Sequence, residues 1–206
     1  MKITQEEINA LIKKGDRIFL RGVDLTGLNL LETDLTGADF TRADLTGAVL
    51  LGAKLIGANL TAAELTGVDL TAANLRGANL NRANLSRAQL AGSELSRADL
   101  SRAELFRVNL TAANMTGANL TGANLSESTL IEANLIEANL SEAKLREAKL
   151  IRAKLLKADM EWTELRYATL LEAVLKGADL RGARYNEFTV WPEDFDPVVA
   201  GAILTP

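Results

Sequence analysis

The stretch Leu130–Leu140 reads LIEANLIEANL and places a leucine at every fifth position. This spacing fits neither regular element. On an α-helix, leucines five apart step by about 140° and reach every side of the cylinder. In a strand, an odd spacing sends alternate leucines to opposite sides of the sheet. The chain is therefore predicted to turn within each five-residue unit.

The same spacing continues through most of the chain. From Leu20 to Leu180, the 33 positions whose numbers are multiples of five hold leucine, except at Phe40, Met115 and Met160. The residue two before each of them is Ala in 24 of the 33 units, so most units combine one large and one small apolar side chain. Such regularity is typical of a solenoid built from repeats.

The side chains suggest how each unit folds. If a unit forms a short extended side and then a turn, Leu and Ala can point inward, and four units close a coil. Coils stacked at about 4.8 Å, the spacing of paired strands, would align the leucines in ladders. Glycines such as Gly27, Gly47 and Gly67 lie two residues after a leucine, where a type II turn requires positive φ. These glycines are predicted to mark the turns.

Several units also match a known repeat. ADLTG (43–47), ANLTG (118–122) and ANLSE (123–127) resemble the A(D/N)LXX pattern of the pentapeptide-repeat protein family, and the match covers about 165 of the 206 residues. The resemblance implies an all-β fold, a right-handed quadrilateral parallel β-helix of about eight coils. It also implies a bacterial member, cyanobacterial in particular. Function varies far more than fold within such a family.

The first residues, 1–15, are predicted to form a short capping helix. Thr4 and Glu7 have the spacing of a capping box, and Gly15 fits just beyond a helix end. Apolar residues share one face of this helix, which we expect to cover the first coil: Ile8, Leu11 and Ile12.

The rest of the chain is expected to belong to the same structural domain. Residues 16–185 form the β-helix, and residues 186–206 form an irregular cap. The aromatic side chains near this end are predicted to plug the last coil: Tyr185, Phe188, Trp191 and Phe195.

Composition narrows the possible chemistry. The chain has no Cys, which excludes disulfides and thiolate metal sites, and no His, the commonest general base and metal ligand. We expect no cofactor, no metal and no enzymatic activity. The first residues, MKITQEEINALIKKG, lack an apolar segment of signal-peptide length, and the apolar run VVAGAIL (198–204) is too short to span a membrane. A cytoplasmic protein without membrane contact is therefore expected.

Acidic residues near the first coils leave two other functions open. Asp24, Asp44 and Glu64 are twenty residues apart, so the coil would stack their carboxylates about 5 Å apart, where they would raise one another's pKa or attract a cation. Such pairs could serve a β-helix enzyme. The family resemblance adds a DNA mimic that binds gyrase, a function that requires a long negative surface. Charge alternates in bands along this chain, however, so a solvated face is favoured over both alternatives.

A group of arginines forms a candidate anion-contact patch. Two vertical pairs are predicted on adjoining faces: Arg82 with Arg102, and Arg87 with Arg107. They could contact an acidic protein, whereas nucleic acid is disfavoured as a partner. Asp99 and Glu104 are expected to lie close enough to neutralise these arginines, which would leave a purely structural surface.

Further along the chain, opposite charges are twenty residues apart. The predicted vertical ion pairs are Arg107 with Glu127, Glu137 with Lys157, and Arg152 with both Glu132 and Glu172. Pairs on an exposed surface contribute only about 0–1 kcal/mol each, so they would help to set the register of the coils.

The position just after each leucine should point outward, and in the opening stretch it is isoleucine. Five aliphatic residues share this position in neighbouring coils and form what we name the aliphatic patch: Ile131, Ile151 and Leu171 in one column, and Ile136 and Leu156 in the next. An apolar patch of this kind with a charged rim is typical of a protein contact. Two other interpretations are surface residues chosen for strand propensity, and a ligand groove. The sequence therefore favours a non-enzymatic scaffold that binds an unidentified protein or a second copy.

Overall fold

A computed structural model describes residues 2–15 and 17–206, and it consists mainly of stacked four-sided coils. Parallel bridges join residues twenty apart, from Phe19 with Asp39 to Glu164 with Arg184. The predicted coil of four units is therefore confirmed. Asp16, at the predicted boundary between helix and coils, lies outside the described residues.

Regular secondary structure is scarce in this architecture. The helix α1 spans Gln5–Lys14, and two strands, β1 (Arg184–Tyr185) and β2 (Ile203–Leu204), pair in parallel. The other pairings in the described residues are isolated bridges. Continuous strands do not form because a turn follows each bridged residue almost at once. The expected pairing is present, but as ladders of single residues.

The inward positions form one apolar core along the rod. Every residue at the leucine position from Leu25 to Leu170 is at most 1% exposed. Where Ser93, Ser128 or Thr163 replaces alanine, the buried hydroxyl donates a hydrogen bond to the carbonyl three residues before it, at 2.6–2.9 Å. No buried hydroxyl at these three positions is left unsatisfied, so the interior tolerates them.

The backbone N–H groups of each unit form most of their hydrogen bonds with the two adjacent coils. In the unit 39–43, the N–H groups of Asp39, Phe40 and Arg42 donate to carbonyls of adjacent coils at 2.7–3.0 Å. The N–H of Ala43 closes the turn on the carbonyl of Phe40 at 2.8 Å. The remaining N–H, that of Thr41, donates to Oδ1 of Asp39 at 3.1 Å. All five N–H groups of this unit are therefore bonded.

The residue two after each leucine is named the turn tip, and it has positive φ at all 33 positions from 22 to 182. Thirteen of these residues are glycine, as predicted for Gly27, Gly47 and Gly67, but twenty are not. A residue with a Cβ in this region costs about 1 kcal/mol. Most tips are held there because their N–H donates to a carbonyl of the next coil, as that of Arg42 does to Thr61 at 3.0 Å.

Four outward faces run along the rod. They are named here from one coil: face I contains Asp39, face II Asp44, face III Val49 and face IV Lys54, and each continues every twenty residues. Each unit contributes two outward side chains to its face, one before and one after the leucine, and its turn tip points outward at the corner beside that face. On face III, the hydroxyl of Thr111 donates to Oδ1 of Asn109 at 2.7 Å, so the two positions lie side by side.

Helix α1 covers the first coil as predicted. The capping box of Thr4 and Glu7 is present, and Gly15 ends the helix with φ 72°. Ile8 is completely buried against the leucine ladder.

One helix side chain also replaces a missing coil. The Nε2 of Gln5 donates to the carbonyl of Asn29 at 2.8 Å, and its Oε1 accepts the N–H of Asn29 at 2.9 Å. The amide therefore makes both bonds that another peptide group would make, and it closes the backbone edge of this side.

The opposite end is closed by an irregular cap. Tyr185 packs edge-on against Trp191, and Trp191 stacks on Phe195, with ring centroids 5.4 and 5.3 Å apart. These rings plug the last coil as predicted. The prediction was wrong for Phe188, which is 60% exposed and stacks outside on Tyr167. An extra residue in this coil, where Thr169 pairs with Val190 rather than a residue twenty away, directs Phe188 outward.

Gly182 provides a test of close packing between coils. A Cβ at Gly182 would approach the Trp162 ring to 2.5 Å, whereas a Cβ at Gly47 would meet no atom within 4 Å. Both glycines have positive φ. We expect Gly47→Ala to cost about 1 kcal/mol in the free energy of unfolding. Gly182→Ala should cost at least about 1 kcal/mol more, because overpacking adds to the backbone cost.

Denaturant unfolding of both variants measures this difference. Combining Gly182→Ala with Trp162→Ala should remove the additional cost. Equal losses of stability for Gly47→Ala and Gly182→Ala would contradict the packing of Trp162 over Gly182.

Candidate functional site

The register assembles the aliphatic patch. Bridges of Lys149 with Thr129 and Thr169 set Ile131, Ile151 and Leu171 in one column on face III. Leu171 is 44% exposed, and the other four members of the patch are half-buried. Each aliphatic side chain has neighbours one coil away, so the column hides part of its own surface. The patch is therefore outward but less exposed than isolated side chains would be.

Ion pairs border this patch as predicted. Arg152 lies between Glu132 and Glu172, with nitrogen to oxygen distances of 3.6 and 2.7 Å. Lys157 lies 3.9 Å from Glu137. The hydrogen bond to Glu172, followed by the charge of that carboxylate, raises the pKa of Arg152. These exposed pairs contribute about 0–1 kcal/mol each and form a charged rim beside the patch.

The aliphatic patch also carries backbone donors. In most units, Asn or Asp before the leucine accepts the N–H of the residue after it. Lys or Thr holds that accepting position in four units of the patch. In the part of the chain that is described, the N–H groups of these four residues have no protein acceptor: Ile131, Ile151, Leu156 and Leu171. Apolar side chains and free donors are thus combined on one surface.

The arginine patch is assembled as the sequence predicted. The bridge of Asn84 with Glu104 sets the residues around them one coil apart, which stacks like charge on like. The pairs are Arg82 with Arg102, and Arg87 with Arg107. Arg107 alone of the four forms an ion pair in residues 2–15 and 17–206, at 2.7 Å from Glu127.

The predicted neutralisation of this patch was wrong. Asp99 accepts hydrogen bonds from Ser101 and Asn119, and Glu104 accepts one from Asn124. Both carboxylates therefore bond to polar neighbours on their own faces. Within the described ranges, no carboxylate oxygen comes within 4.0 Å of three of the arginines: Arg82, Arg87 and Arg102. The role of the patch in binding an anion stays a prediction.

The first carboxylate of the acidic column, Asp24, is stabilised in its charged form. Asp24 bridges to Asp44, but hydrogen bonds from the N–H and then the hydroxyl of Thr26 lower the pKa of Asp24. The mutual rise in pKa that was expected for these carboxylates is wrong for Asp24. Charge-stabilising bonds keep this carboxylate ionised, as befits a solvated face rather than an acid/base pair.

Asp39 is the one carboxylate with a buried side chain in the described residues, at 3% exposure. Burial raises its pKa, but the hydroxyl of Thr41 and the Nε of Arg21, both at 2.6 Å, outweigh that effect and lower the pKa. Asp39 therefore stabilises face I as an anion.

Sequence reasoning missed an aromatic group near the C-terminal cap. Trp162 and Tyr167 occupy turn tips and are 58% and 42% exposed. Phe188 stacks on Tyr167 at 5.4 Å, and the guanidinium of Arg146 lies 5.3 Å from the Tyr167 ring. The signal was present in the pattern, because every turn tip points outward, whatever residue holds it.

The described ranges hold neither a metal-binding cluster nor a membrane-spanning helix. Residues 2–15 and 17–206 contain no cluster of three or more His, Cys, Asp or Glu side chains that could hold a metal ion. Nor does any helix in this part of the chain have the length and apolar character needed to cross a membrane.

The family model described as "Pentapeptide repeats" matches this chain in eight copies, over segments that run from 16 to 182: 16–42, 33–71, 69–105, 83–122, 103–142 and 143–182. The chain therefore belongs to the pentapeptide-repeat family. The comparison with curated proteins found no match.

Solved structures agree with this assignment. HetL, a pentapeptide-repeat protein involved in heterocyst differentiation regulation in the cyanobacterium Nostoc sp. strain PCC 7120, is 31% identical; the match covers 98% of this chain and 92% of HetL, with a TM-score of 0.54. The plasmid-mediated fluoroquinolone resistance protein QnrB1 is 19% identical, with coverage of 84% and 91% and a TM-score of 0.59. At that identity, QnrB1 shares the fold alone.

The lowered pKa of Asp39 predicts a pH dependence of stability. Asn59, one coil further on face I, accepts the same pair of bonds from Thr61. Asp39→Asn should therefore keep the bonds from Thr41 and lose only the charge facing Arg21. We expect a loss of up to about 1 kcal/mol at pH 7.

The sign follows from the folded and unfolded pKa values. Because the folded pKa is lowered, the stabilisation by Asp39 is present above the unfolded pKa of about 3.9 and is lost as pH falls through the folded pKa. Urea unfolding of wild type and Asp39→Asn between pH 7 and pH 2 should show the two stabilities converging at low pH. A constant gap across this range would contradict the assignment.

Proposed function

We propose that this protein is a non-enzymatic scaffold that binds another polypeptide through the aliphatic patch. The observation that carries the proposal is the outward column of Ile131, Ile151 and Leu171, which the core does not need. The leucines beside them already fill the interior, at 0% exposure for Leu130 and Leu150. Aliphatic side chains in excess of the fold's requirement favour a contact surface.

The surroundings of the patch support binding of a polypeptide. Its rim holds Arg152 between two glutamates and Lys157 beside Glu137, and a charged rim around an apolar centre is typical of protein interfaces. The free N–H groups at Ile131, Ile151 and Leu171 can donate to carbonyls of a partner. A small apolar ligand would use neither feature.

The shape of the rod supports a scaffold rather than an enzyme. Cavities of about 460–520 Å³ lie at the two capped ends, lined by residues such as Ile12 and Phe195. The aliphatic patch lies instead on two adjoining outer faces, III and IV, which exclude little water from a bound substrate. The proposal includes a right-handed winding of the coils, which family membership implies, and a cytoplasmic location.

A DNA mimic is not favoured by the arrangement of charge. The acidic column on face II passes from Asp24, Asp44 and Glu64 to uncharged Asn84, and Lys144 lies further along the same face. Duplex DNA presents negative charge along its whole length, and this face does not. The fold similarity to QnrB1 adds no functional argument.

The proposal predicts the effect of charges placed in the patch. Ile131→Asp with Ile151→Asp should weaken binding of a polypeptide partner at least about tenfold, because each buried charge at an apolar contact is strongly unfavourable. The core is untouched, so unfolding and circular dichroism should change little. The readouts are self-association by light scattering and quantitative affinity capture from the native host.

A matched control uses the same position on the opposite side of the rod. Ser101→Asp with Thr121→Asp places two charges after the leucines of face I and also removes the hydroxyl bonds to Asp99 and Asn119. Once circular dichroism shows that this variant is folded, both readouts should equal those of wild type. If the folded Ile131→Asp, Ile151→Asp protein self-associates and captures partner proteins as strongly as wild type does, the patch is not a docking surface.

A further inference from the structure

Face III, which bears Ile131, Ile151 and Leu171, differs from the other faces along its whole length. Its sixteen outward positions in eight coils, from Asn29 to Leu171, include only two charged residues. In the same eight coils, the equivalent sixteen positions include five charged residues on face I, eight on face II and six on face IV. A long surface with so little charge is suited to burial against another surface.

The two charges of face III have no oppositely charged partner in the described residues, although the Asp69 carboxylate accepts the N–H of Thr71 at 3.0 Å. Asp69 has Val49 and Gln89 as vertical neighbours, and Lys149 has two threonines. Neither Asp69 nor Lys149 forms an ion pair within 4.0 Å anywhere in residues 2–15 and 17–206. This contrasts with Arg152 and Lys157, whose charges are paired one coil away.

We propose that face III binds a second copy of this chain in antiparallel orientation, about a two-fold axis at the coil of Asn109 and Thr111. The inference rests on the proposed function and names the partner of the same surface. A two-fold axis in the plane of the interface reverses the rod but keeps each column opposite its own equivalent. Coils equally far from the axis then face each other.

This orientation pairs the unpartnered charges. Asp69 and Lys149 are each two coils from the axis, on opposite sides, so each faces the other in the second copy. The symmetry makes both contacts at once. Parallel rods would instead bring like charges to the same level, which disfavours that arrangement.

The same axis also matches the sizes of the outward side chains. In the column after the leucine, Leu51 faces Leu171, and Thr71 faces Ile151. Ala91, the smallest residue of the column, faces Ile131. Large residues in the C-terminal half therefore meet small or equal residues in the N-terminal half, as close packing of two faces requires.

The turn tips beside face III repeat this complementarity. The three long tips of the C-terminal half face three small ones: Glu132 faces Gly92, Arg152 faces Ala72, and Glu172 faces Gly52. On the other edge of the face, Arg87 is set opposite Glu127. Arg107 lies near its own copy at the axis, but its charge is already paired with Glu127 at 2.7 Å.

The size of the face indicates a weak dimer. Seven coils of each copy face each other about this axis, and at about 4.8 Å per coil, with a side of about 10 Å, they give a flat area of roughly 340 Å² per copy. A stable interface of standard size covers about 800 Å² per partner. We therefore expect dimers that form at high concentration and dissociate on dilution.

Sedimentation of the full chain up to about 1 mM tests the proposal. Wild type should show a reversible monomer–dimer equilibrium. Asp69→Lys and Lys149→Glu should each weaken dimerisation about tenfold, because each creates two like-charge contacts. The double variant should recover most of the wild-type association. Lys154→Glu, an equivalent charge reversal on face IV, should have no effect.

Cross-linking tests the orientation, since the chain has no Cys of its own. With a short bis-maleimide, Thr111→Cys should give covalent dimers, because this residue faces its own copy. Thr71→Cys alone should not, but a mixture of Thr71→Cys and Ile151→Cys proteins should. Dimers from Thr71→Cys alone would overturn the antiparallel orientation.

The remaining outcomes separate this inference from the proposed function. A protein that stays monomeric at about 1 mM, or a dimer indifferent to both charge reversals, overturns the antiparallel dimer. The scaffold proposal would then still be tested by the binding of a different protein. Ile131→Asp with Ile151→Asp should weaken that binding. If wild type dimerises as expected and Ile131→Asp with Ile151→Asp leaves the binding of other proteins unchanged, the scaffold proposal is rejected for other proteins and the dimer stands.

Discussion

The structure depends on the mutual burial of neighbouring coils. One coil offers four leucines and four small residues to an interior too narrow to close on its own. Stacking makes the interior continuous, and the leucine position is at most 1% exposed from Leu25 to Leu170. The same stacking pairs the backbone N–H groups, so hydrophobic burial and hydrogen bonding impose one spacing. A change in one inward residue therefore affects the coils on both sides.

This constraint explains both caps. The first and last coils each lack a neighbour, and the chain provides different substitutes. At one end Ile8 covers the core and the Gln5 amide bonds the backbone of Asn29. At the other, β2 pairs with β1 and Trp191 packs against Tyr185. Apolar cover and backbone pairing are needed together, because an open coil exposes both.

The outward residues are not needed for the burial between coils. They can therefore vary and serve in binding. An Asn or Asp before the leucine serves the rod only by accepting the N–H of the residue after the leucine. The coil forms equally where Lys149 or Thr129 stands there and that N–H has no acceptor in the described residues. Similarly, the turn tip accepts Gly, Arg, Glu or Trp at the cost of positive φ. Charge, size and apolarity can therefore vary along a fixed lattice of positions. On face III this variation leaves aliphatic residues at both ends and small residues between them.

The sequence by itself determined the coil, since the five-residue period depends only on which side chains must avoid water. Leu130 and Leu135 were identified as inward, Ile131 and Ile136 as outward, and Glu132, Arg152 and Glu172 as vertical neighbours. These are consequences of a regular backbone, and each follows from residue numbers alone. Gly15 and the Thr4 capping box were equally local.

Only the tertiary structure decided which partner a side chain contacts when several lie within reach. Asp99 could reach an arginine or Ser101, and the geometry of its own unit favours Ser101. Phe188 could enter the core, but the longer last coil turns it outward onto Tyr167. The lack of an ion pair for Asp69 and for Lys149 in the described residues likewise appears only when the neighbours on face III are known. The five-residue period determines the position of each Cα and whether its side chain points inward or outward. The contacts of that side chain depend on all the neighbouring residues that it can reach.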